Sequence, residues 1–168
     1  MGLLAGWTYC PRCGGELVGG VGRVDCRRCG FVGYANPVPG AEVILRDHRG
    51  RVLLGRRAFD PAKGLWDLPG GFLDEEEHPL DALRREVREE TSLELEALRF
   101  LGHYLEPYDG RTVLCLAWTG RGVGEPHPGD DLVELRWFSP DELPSPRELA
   151  FAHYAEVIAA ALARDDGA

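Results

Sequence analysis

Two sets of side chains in this sequence are spaced for metal chemistry. They are Cys10, Cys13, Cys26 and Cys29, and the glutamates of the stretch RREVREETSLEL at residues 84–95. The cysteines form two knuckles, Cys-Pro-Arg-Cys-Gly and Cys-Arg-Arg-Cys-Gly, separated by twelve residues. Each knuckle turns tightly, the glycine after it relieves the backbone, and together they supply a tetrahedral shell of four thiolates for Zn²⁺. With all four positions taken by protein, no place is left for water, so this zinc is expected to be structural. A pair of disulfides is the competing reading, and a reducing compartment argues against it.

The glutamates read differently. On a helix advancing about 100° per residue from Leu80, Glu89, Glu86 and Glu90 fall at about 180°, 240° and 280°. Leu83, Val87 and Leu80 continue the same arc, so the acids border the buried stripe. Carboxylates half withdrawn from water are costly without cations beside them. Arg85, four residues before Glu89, can pair with it, but one arginine does not neutralise three glutamates. Oxygen ligands at this density suit Mg²⁺ or Mn²⁺, which keep several waters and bridge carboxylates to phosphates. The plainer alternative is a solvated acidic helix with Arg84, Arg85 and Arg88 as i,i+4 partners.

The elements that must position these residues follow from the rest of the chain. With 168 residues and 44% hydrophobic content it is expected to build one main core with a small appendage. The first thirty-odd residues hold four of the five cysteines and nine glycines, too little apolar material for a core without a staple. From Ala41 the segment AEVILRDHRGRVLLGRR predicts two strands joined at Asp47–Gly50. Pro79 to Thr91 predicts a helix, with proline in the first turn. LELEALRFLGHY, RTVLCLAWTG and LVELRWF predict further strands, and GRGVGEPHPGDD an exposed loop between the last two. Ser145, Pro146 and Glu148 predict a capped helix from Ser145 to about Ala163. Strands mixed with two helices give an α/β layered domain.

Charge restricts the partners. The chain has 28 acidic against 19 basic residues and a formal charge of −9, a poor balance for general nucleic-acid binding. Eighteen of the nineteen basic residues are arginine, which by itself points to no function. The opening MGLLAGWTYC has no basic leader and few apolar residues, so a secretion signal or membrane span is not expected and a cytoplasmic protein is. Cys115, inside VLCLAW, reads as a small buried hydrophobe.

The segment PGGFLDEEEHPLDALRREVREETSL resembles the signature of the Nudix hydrolase superfamily. Gly71, Glu77, Arg85, Glu86, Val87, Glu89, Glu90 and Leu93 all fall in register with it. Ser92 stands where the family has glycine, a position that ends the helix in a left-handed conformation at a cost of about 1–2 kcal/mol for a non-glycine residue. The resemblance extends from about Ala41 to the end. With the cysteine knuckles in front, the chain resembles the zinc-ribbon branch that includes NADH pyrophosphatases. It implies a zinc ribbon over residues 1–36 and a Nudix domain over 37–168, an α/β/α sandwich around a mixed sheet.

The resemblance also implies a reaction: metal-dependent hydrolysis of a nucleoside diphosphate linked to another group. It assigns Glu86 and Glu90 as ligands of Mg²⁺ or Mn²⁺, Glu89 as ligand or general base, and Arg85 as its orienting partner. Gly70 is expected to offer a carbonyl to a metal and Glu77 to brace the loop. A further acid is expected from a later loop or strand, with Glu134 first, then Glu125 and Asp131. Arg57 is a candidate phosphate contact, and Tyr104, Tyr108 and Phe151 are candidates for base stacking. The Ser-Gln-Pro-Trp-Pro-Phe-Pro array of NADH pyrophosphatases is absent from LGHYLEPYDGRTVLCLAW, which leaves ADP-ribose, NAD(H), nucleotide sugars and dinucleoside polyphosphates open. Zinc-ribbon relatives imply a homodimer. The competing function is a nucleotide-sensing or RNA-binding regulator with a silent Nudix domain; the intact acids argue against it.

Overall fold

The computed structural model describes residues 3–163. Its chain divides into two compact units. The smaller runs through Val38 and includes Pro107–Val113; the larger holds Pro39–Glu106 and the chain from Leu114 onward. The boundary expected between residues 36 and 37 thus lies two residues later, and a short segment far along the chain joins the first unit.

In the smaller unit, three short strands, β1 (Leu17–Gly19), β2 (Arg23–Cys26) and β3 (Val32–Tyr34), form an antiparallel sheet in the order β1-β2-β3. Cys10 and Cys26 are buried, and Leu4 and Val24 are the only other buried apolar side chains before residue 39 among those described. That is the shortage of core which the cysteine spacing offsets.

The larger unit contains most of β4 (Val38–Arg46), then β5 (Val52–Arg57), β6 (Trp66–Asp67), β7 (Gly70–Phe72), α1 (Pro79–Thr91), most of β8 (Glu94–Tyr108) and of β9 (Arg111–Val123), β10 (Leu132–Phe138) and α2 (Tyr154–Ala163). The sheet order is β10-β5-β4-β9-β8, with β6 beside β5 and β7 beside β4. β5 is antiparallel to β4, β6 and β10, and β7 is antiparallel to β4. The turn Asp47–Gly50 forms as expected, with Asp47 Oδ1 accepting from the Arg49 and Arg51 amides at 2.8 and 2.9 Å. Asp109 and Gly110, both at positive φ, make the tight turn between β8 and β9 that an Asp-Gly pair favours.

Successive residues of a strand face opposite sides of the sheet, and the central strands are apolar on both. Ala41, Val43, Leu45 and Leu53 pack with Leu83 and Val87 of α1. Ile44, Val52 and Leu54 pack with Tyr154, Val157, Ile158 and Ala161 of α2. The result is the helix–sheet–helix sandwich around a mixed sheet that the resemblance implies.

One element departs from expectation. The last helix begins at Tyr154, not at Ser145. The capping bonds do form, with Glu148 Oε2 accepting from the Ser145 amide and hydroxyl at 2.9 and 2.7 Å. They close a single turn, because the next backbone groups are taken by the sheet. Trp66 N donates to Glu148 O and Ala150 N donates to Trp66 O, at 2.9 and 2.8 Å. A segment that pairs with β6 in this way cannot also make helical bonds.

Candidate active site

Helix α1 presents the acids as their angles predict. Pro79 occupies its first turn, and the His78 side chain accepts from Leu80 N at 3.3 Å. The hydrophobic stripe lies against the sheet, and exposure rises with angular distance from it. Glu90 is 6% exposed, the Glu86 side chain 14% and the Glu89 side chain 49%.

Two glycines bring the strand against this helix. Gly70 N–H donates to Glu90 Oε2 at 2.8 Å, and Gly70 has a φ of +145° where it pairs with Glu42 of β4. A Cβ on Gly71 would lie 2.5 Å from Glu86 Cδ, so any side chain there displaces Glu86.

Arg85 is the hub of the group. Its Nε and Nη2 grip Glu77 Oε1 and Oε2 at 3.0 and 2.8 Å, while Nη1 reaches Glu86 at 2.8 Å and Glu89 at 3.2 Å. Nη2 also donates to the Phe72 carbonyl at 3.2 Å. Glu77 in turn accepts from Asp74 N at 3.1 Å, which fixes the loop before the helix. Arg85 therefore orients two glutamates and braces the loop through a third.

The electrostatics show how far one cation falls short. Burial pushes the Glu90 carboxyl well above its usual range; the Gly70 amide opposes this, while Asp67, Glu86 and Asp131 add to it. Burial likewise raises Glu86 despite Arg85, with Glu89 and Asp130 pushing the same way. Glu77, by contrast, is held down to about 2 by its bonds to Arg85. Oxygen donors converging from one face and short of positive charge fit a hard divalent cation.

Asp130 and Asp131 reach this group through an unexpected docking. The loop before β10 is exposed as expected, but its backbone lies on the end of α1. His127 N donates to Thr91 O at 2.9 Å and Gly129 N to Glu90 O at 3.0 Å. A helix end leaves its last carbonyls without partners, and here a distant loop fills two of them. Ser92 adopts the left-handed cap (φ 61°, ψ 15°) where the resemblance leads one to expect glycine.

Among the sequence candidates for a further acid, the field at Glu90 includes Asp131, whereas Glu134 is engaged elsewhere. Glu134 accepts from Arg56 Nε at 2.7 Å across the β5–β10 pairing. Arg57 is turned onto Asp67 in an ion pair and donates to the Pro61 carbonyl at 2.7 Å. Asp67 is buried and also accepts from the Tyr154 hydroxyl at 2.5 Å. Burial raises its carboxyl against the pull of Arg57. Arg57 also lies over the Phe151 ring, and Tyr104 stacks on His153.

Sequence reasoning missed a buried polar group on the α2 side: Glu42, Glu106 and His153, together with Cys115. The one available signal was Glu42 itself, a charge inside the apolar run VPGAEVIL.

In the smaller unit the four cysteines converge. Cys10 and Cys29 sulfurs lie 3.6 Å apart, as do those of Cys13 and Cys26, and all four lie within 4.8 Å of one another. A tetrahedron of thiolates about 2.3 Å from zinc has edges of about 3.8 Å, so the set fits that ion. Both knuckles use the same backbone bonds: Gly14 N to Cys10 O and Gly30 N to Cys26 O, each 2.9 Å. A ribbon with this cluster is what the cysteine spacing implies.

Known proteins resemble this chain in sequence and fold. The chain is 31% identical over 150 residues to the NAD-capped RNA hydrolase NudC of Pseudomonas fluorescens, covering 87% of this chain and 53% of that protein. It is 35% identical over 123 residues to the ADP-ribose pyrophosphatase of Methanocaldococcus jannaschii, covering 71% of this chain and 70% of that one. The chain thus spans about half the length of the NudC relative. The crystal structure of a NUDIX hydrolase from Nitrosomonas europaea superposes with a TM-score of 0.73 at 23% identity, over 95% of this chain and 93% of that one, a likeness of fold. The NUDIX domain family model matches residues 36–161, the span that carries the glutamates, their arginine hub and both layers of helix, and on that match the chain belongs to the Nudix family.

Proposed function

We propose that this chain hydrolyses the diphosphate linkage of a nucleoside diphosphate joined to another moiety, using Mg²⁺ or Mn²⁺ held by Glu86 and Glu90. The observation that carries this reading is the convergence of Glu86, Glu89 and Glu90 on one face, with burial raising two of them and Arg85 the one cation bonded to them among the described residues. Bound divalent cations supply charge neutralisation on the diphosphate and lower the pKa of an attacking water.

The chain's own residues do the rest. Arg85 fixes the rotamers of Glu86 and Glu89. Glu89, the most exposed acid, takes the proton of the water whose oxygen bonds to phosphorus as the bridging P–O bond breaks. Asp131, with Asp130 beside it, takes the role of the later acid in place of Glu134. Gly70 brings its peptide close enough to offer a carbonyl, while its N–H holds Glu90. Arg57, anchored on Asp67, serves substrate only if that pair opens. The four cysteines hold a structural Zn²⁺.

The relatives' names, an NAD-capped RNA hydrolase and an ADP-ribose pyrophosphatase, share an adenosine diphosphate joined to a sugar. That makes ADP-ribose and NAD(H) the first substrates to try, before nucleotide sugars and dinucleoside polyphosphates. The test is product release from this panel with Mg²⁺ or Mn²⁺. Turnover of at least one compound is expected, with near-complete loss in Glu90→Gln while the circular dichroism is unchanged. No turnover of any of them by the wild-type chain with metal favours a nucleotide sensor instead.

A further inference from the structure

The polar group on the α2 side of the sheet takes no part in the proposed hydrolysis. It draws Glu42 from β4, Glu106 from β8, Cys115 from β9 and His153 from the turn before α2, and all four are buried. His153 Nε2 lies 3.0 Å from both oxygens of Glu42. On the opposite side of the ring, Nδ1 lies 2.8 Å from Glu106 Oε2. One ligand atom each from Glu42, Cys115 and His153 lies within 4.8 Å of the other two. The ring plane is fixed by Tyr104 stacked on it at 5.6 Å and Tyr154 meeting it edge-on at 4.7 Å.

A carboxylate, a thiol and an imidazole from three elements, meeting inside a core, form a donor set with a chemical preference. Thiolate excludes hard ions such as Mg²⁺, and the mixture suits Zn²⁺ or a similar first-row ion. Ligand histidines characteristically donate their second ring N–H to a carboxylate, which sets the tautomer and the ring's direction. Glu106 stands where that partner belongs. The dimensions are also close. Zinc about 2.0–2.1 Å from nitrogen and oxygen and about 2.3 Å from sulfur requires ligand separations of about 3.3–3.5 Å. The 3.0 Å contact between His153 and Glu42 must open by a few tenths of an ångström, and since all three donors lie within 4.8 Å of one another no pair must close by more than about 1.5 Å, a side-chain adjustment.

We propose that Glu42, Cys115 and His153 form a second transition-metal site of the Zn²⁺ class, distinct from the four-cysteine site and from the glutamates of α1. Binding releases the Nε2 proton of His153 and the Cys115 thiol proton. Three protein ligands leave a fourth position for water or a small anion. The ion would tie β4, β9 and the turn before α2 together at one point.

The intact chain, loaded with zinc in excess Mg²⁺ to occupy hard oxygen ligands and then freed of unbound metal, is expected to hold two zinc ions by elemental analysis. Cys115→Ser and His153→Gln are each expected to hold one. Cobalt loading separates the sites, since a four-thiolate centre and a one-thiolate centre differ in the strength of their thiolate-to-metal absorption. Cys115→Ser is expected to remove only the weaker band. Glu106→Gln keeps all three ligands and is expected to weaken this site about 10–100-fold. A wild-type chain that holds a single zinc, with a cobalt spectrum of a four-thiolate centre alone, overturns the proposal whether or not any variant folds.

Discussion

Arg85 is the residue on which the active-site geometry turns, because it bonds Glu77, Glu86 and Glu89 together. A lysine keeps the charge but loses the planar fork that grips both oxygens of Glu77. Arg85→Lys is therefore expected to lower kcat/KM about 10–100-fold, the usual cost of losing a partner that orients ligands, with little change in fold. Wild-type kcat/KM in this variant would show that the glutamates need no orienting.

The shifted carboxyls give a pH dependence whose sign differs from residue to residue. Glu86 and Glu90 are raised, so the folded metal-free chain holds protons that the unfolded chain has released. Its stability falls as pH rises from the unfolded carboxyl range, about 4.3, through their raised values. Glu77 works the other way: its contribution is full above the unfolded range and is lost only as pH falls through about 2. Divalent cation relieves the first effect, so the rise in Tm on adding Mg²⁺ is expected to grow with pH across that window. A pH-independent rise would place the cation away from Glu86 and Glu90.

At the scale of elements, the end of α1 is held by two unlike devices. Ser92 takes a left-handed cap that glycine would adopt at lower cost, and the loop at 127–129 satisfies the carbonyls of Glu90 and Thr91. Ser92→Gly is expected to stabilise the chain by about 1 kcal/mol in chemical denaturation without changing turnover. Destabilisation would mean that the serine side chain holds something the cap geometry does not reveal. The opposite end of the chain shows local signals yielding to tertiary pairing. The capping box at Ser145 formed its hydrogen bonds, yet the helix waited until Tyr154, because residues 148–150 were already bonded to Trp66 of β6.

For the whole molecule, the division into units predicts how it comes apart. The smaller unit has few buried apolar side chains and relies on its cysteine cluster, whereas the larger has two apolar clusters on either side of the sheet. Removal by a strong chelator of the Zn²⁺ proposed for the cysteine cluster is expected to speed amide exchange through β1–β3 and also at Pro107–Val113, which belongs to the same unit. The amides of β4 and β5 should keep most of their protection. Exchange that quickens equally everywhere would mean the two units do not unfold separately.

What the sequence by itself determined was local and periodic. The helical spacing of Leu80, Leu83 and Val87 placed α1, and its angles set Glu86, Glu89 and Glu90 along the border of the buried stripe. The cysteine spacing likewise announced the cluster, because two short knuckles leave their thiols little freedom to point elsewhere. Tertiary structure alone decided which distant groups meet. Asp131 contributes to the field of Glu90 while Glu134 pairs with Arg56, Arg57 turns onto Asp67, and His153 sits between two glutamates, one of them 111 residues away in sequence. Such meetings depend on loop docking and strand order, which no period of 2 or 3.6 residues encodes. They are set by where backbone carbonyls and buried charges find partners, and that is a property of the folded whole.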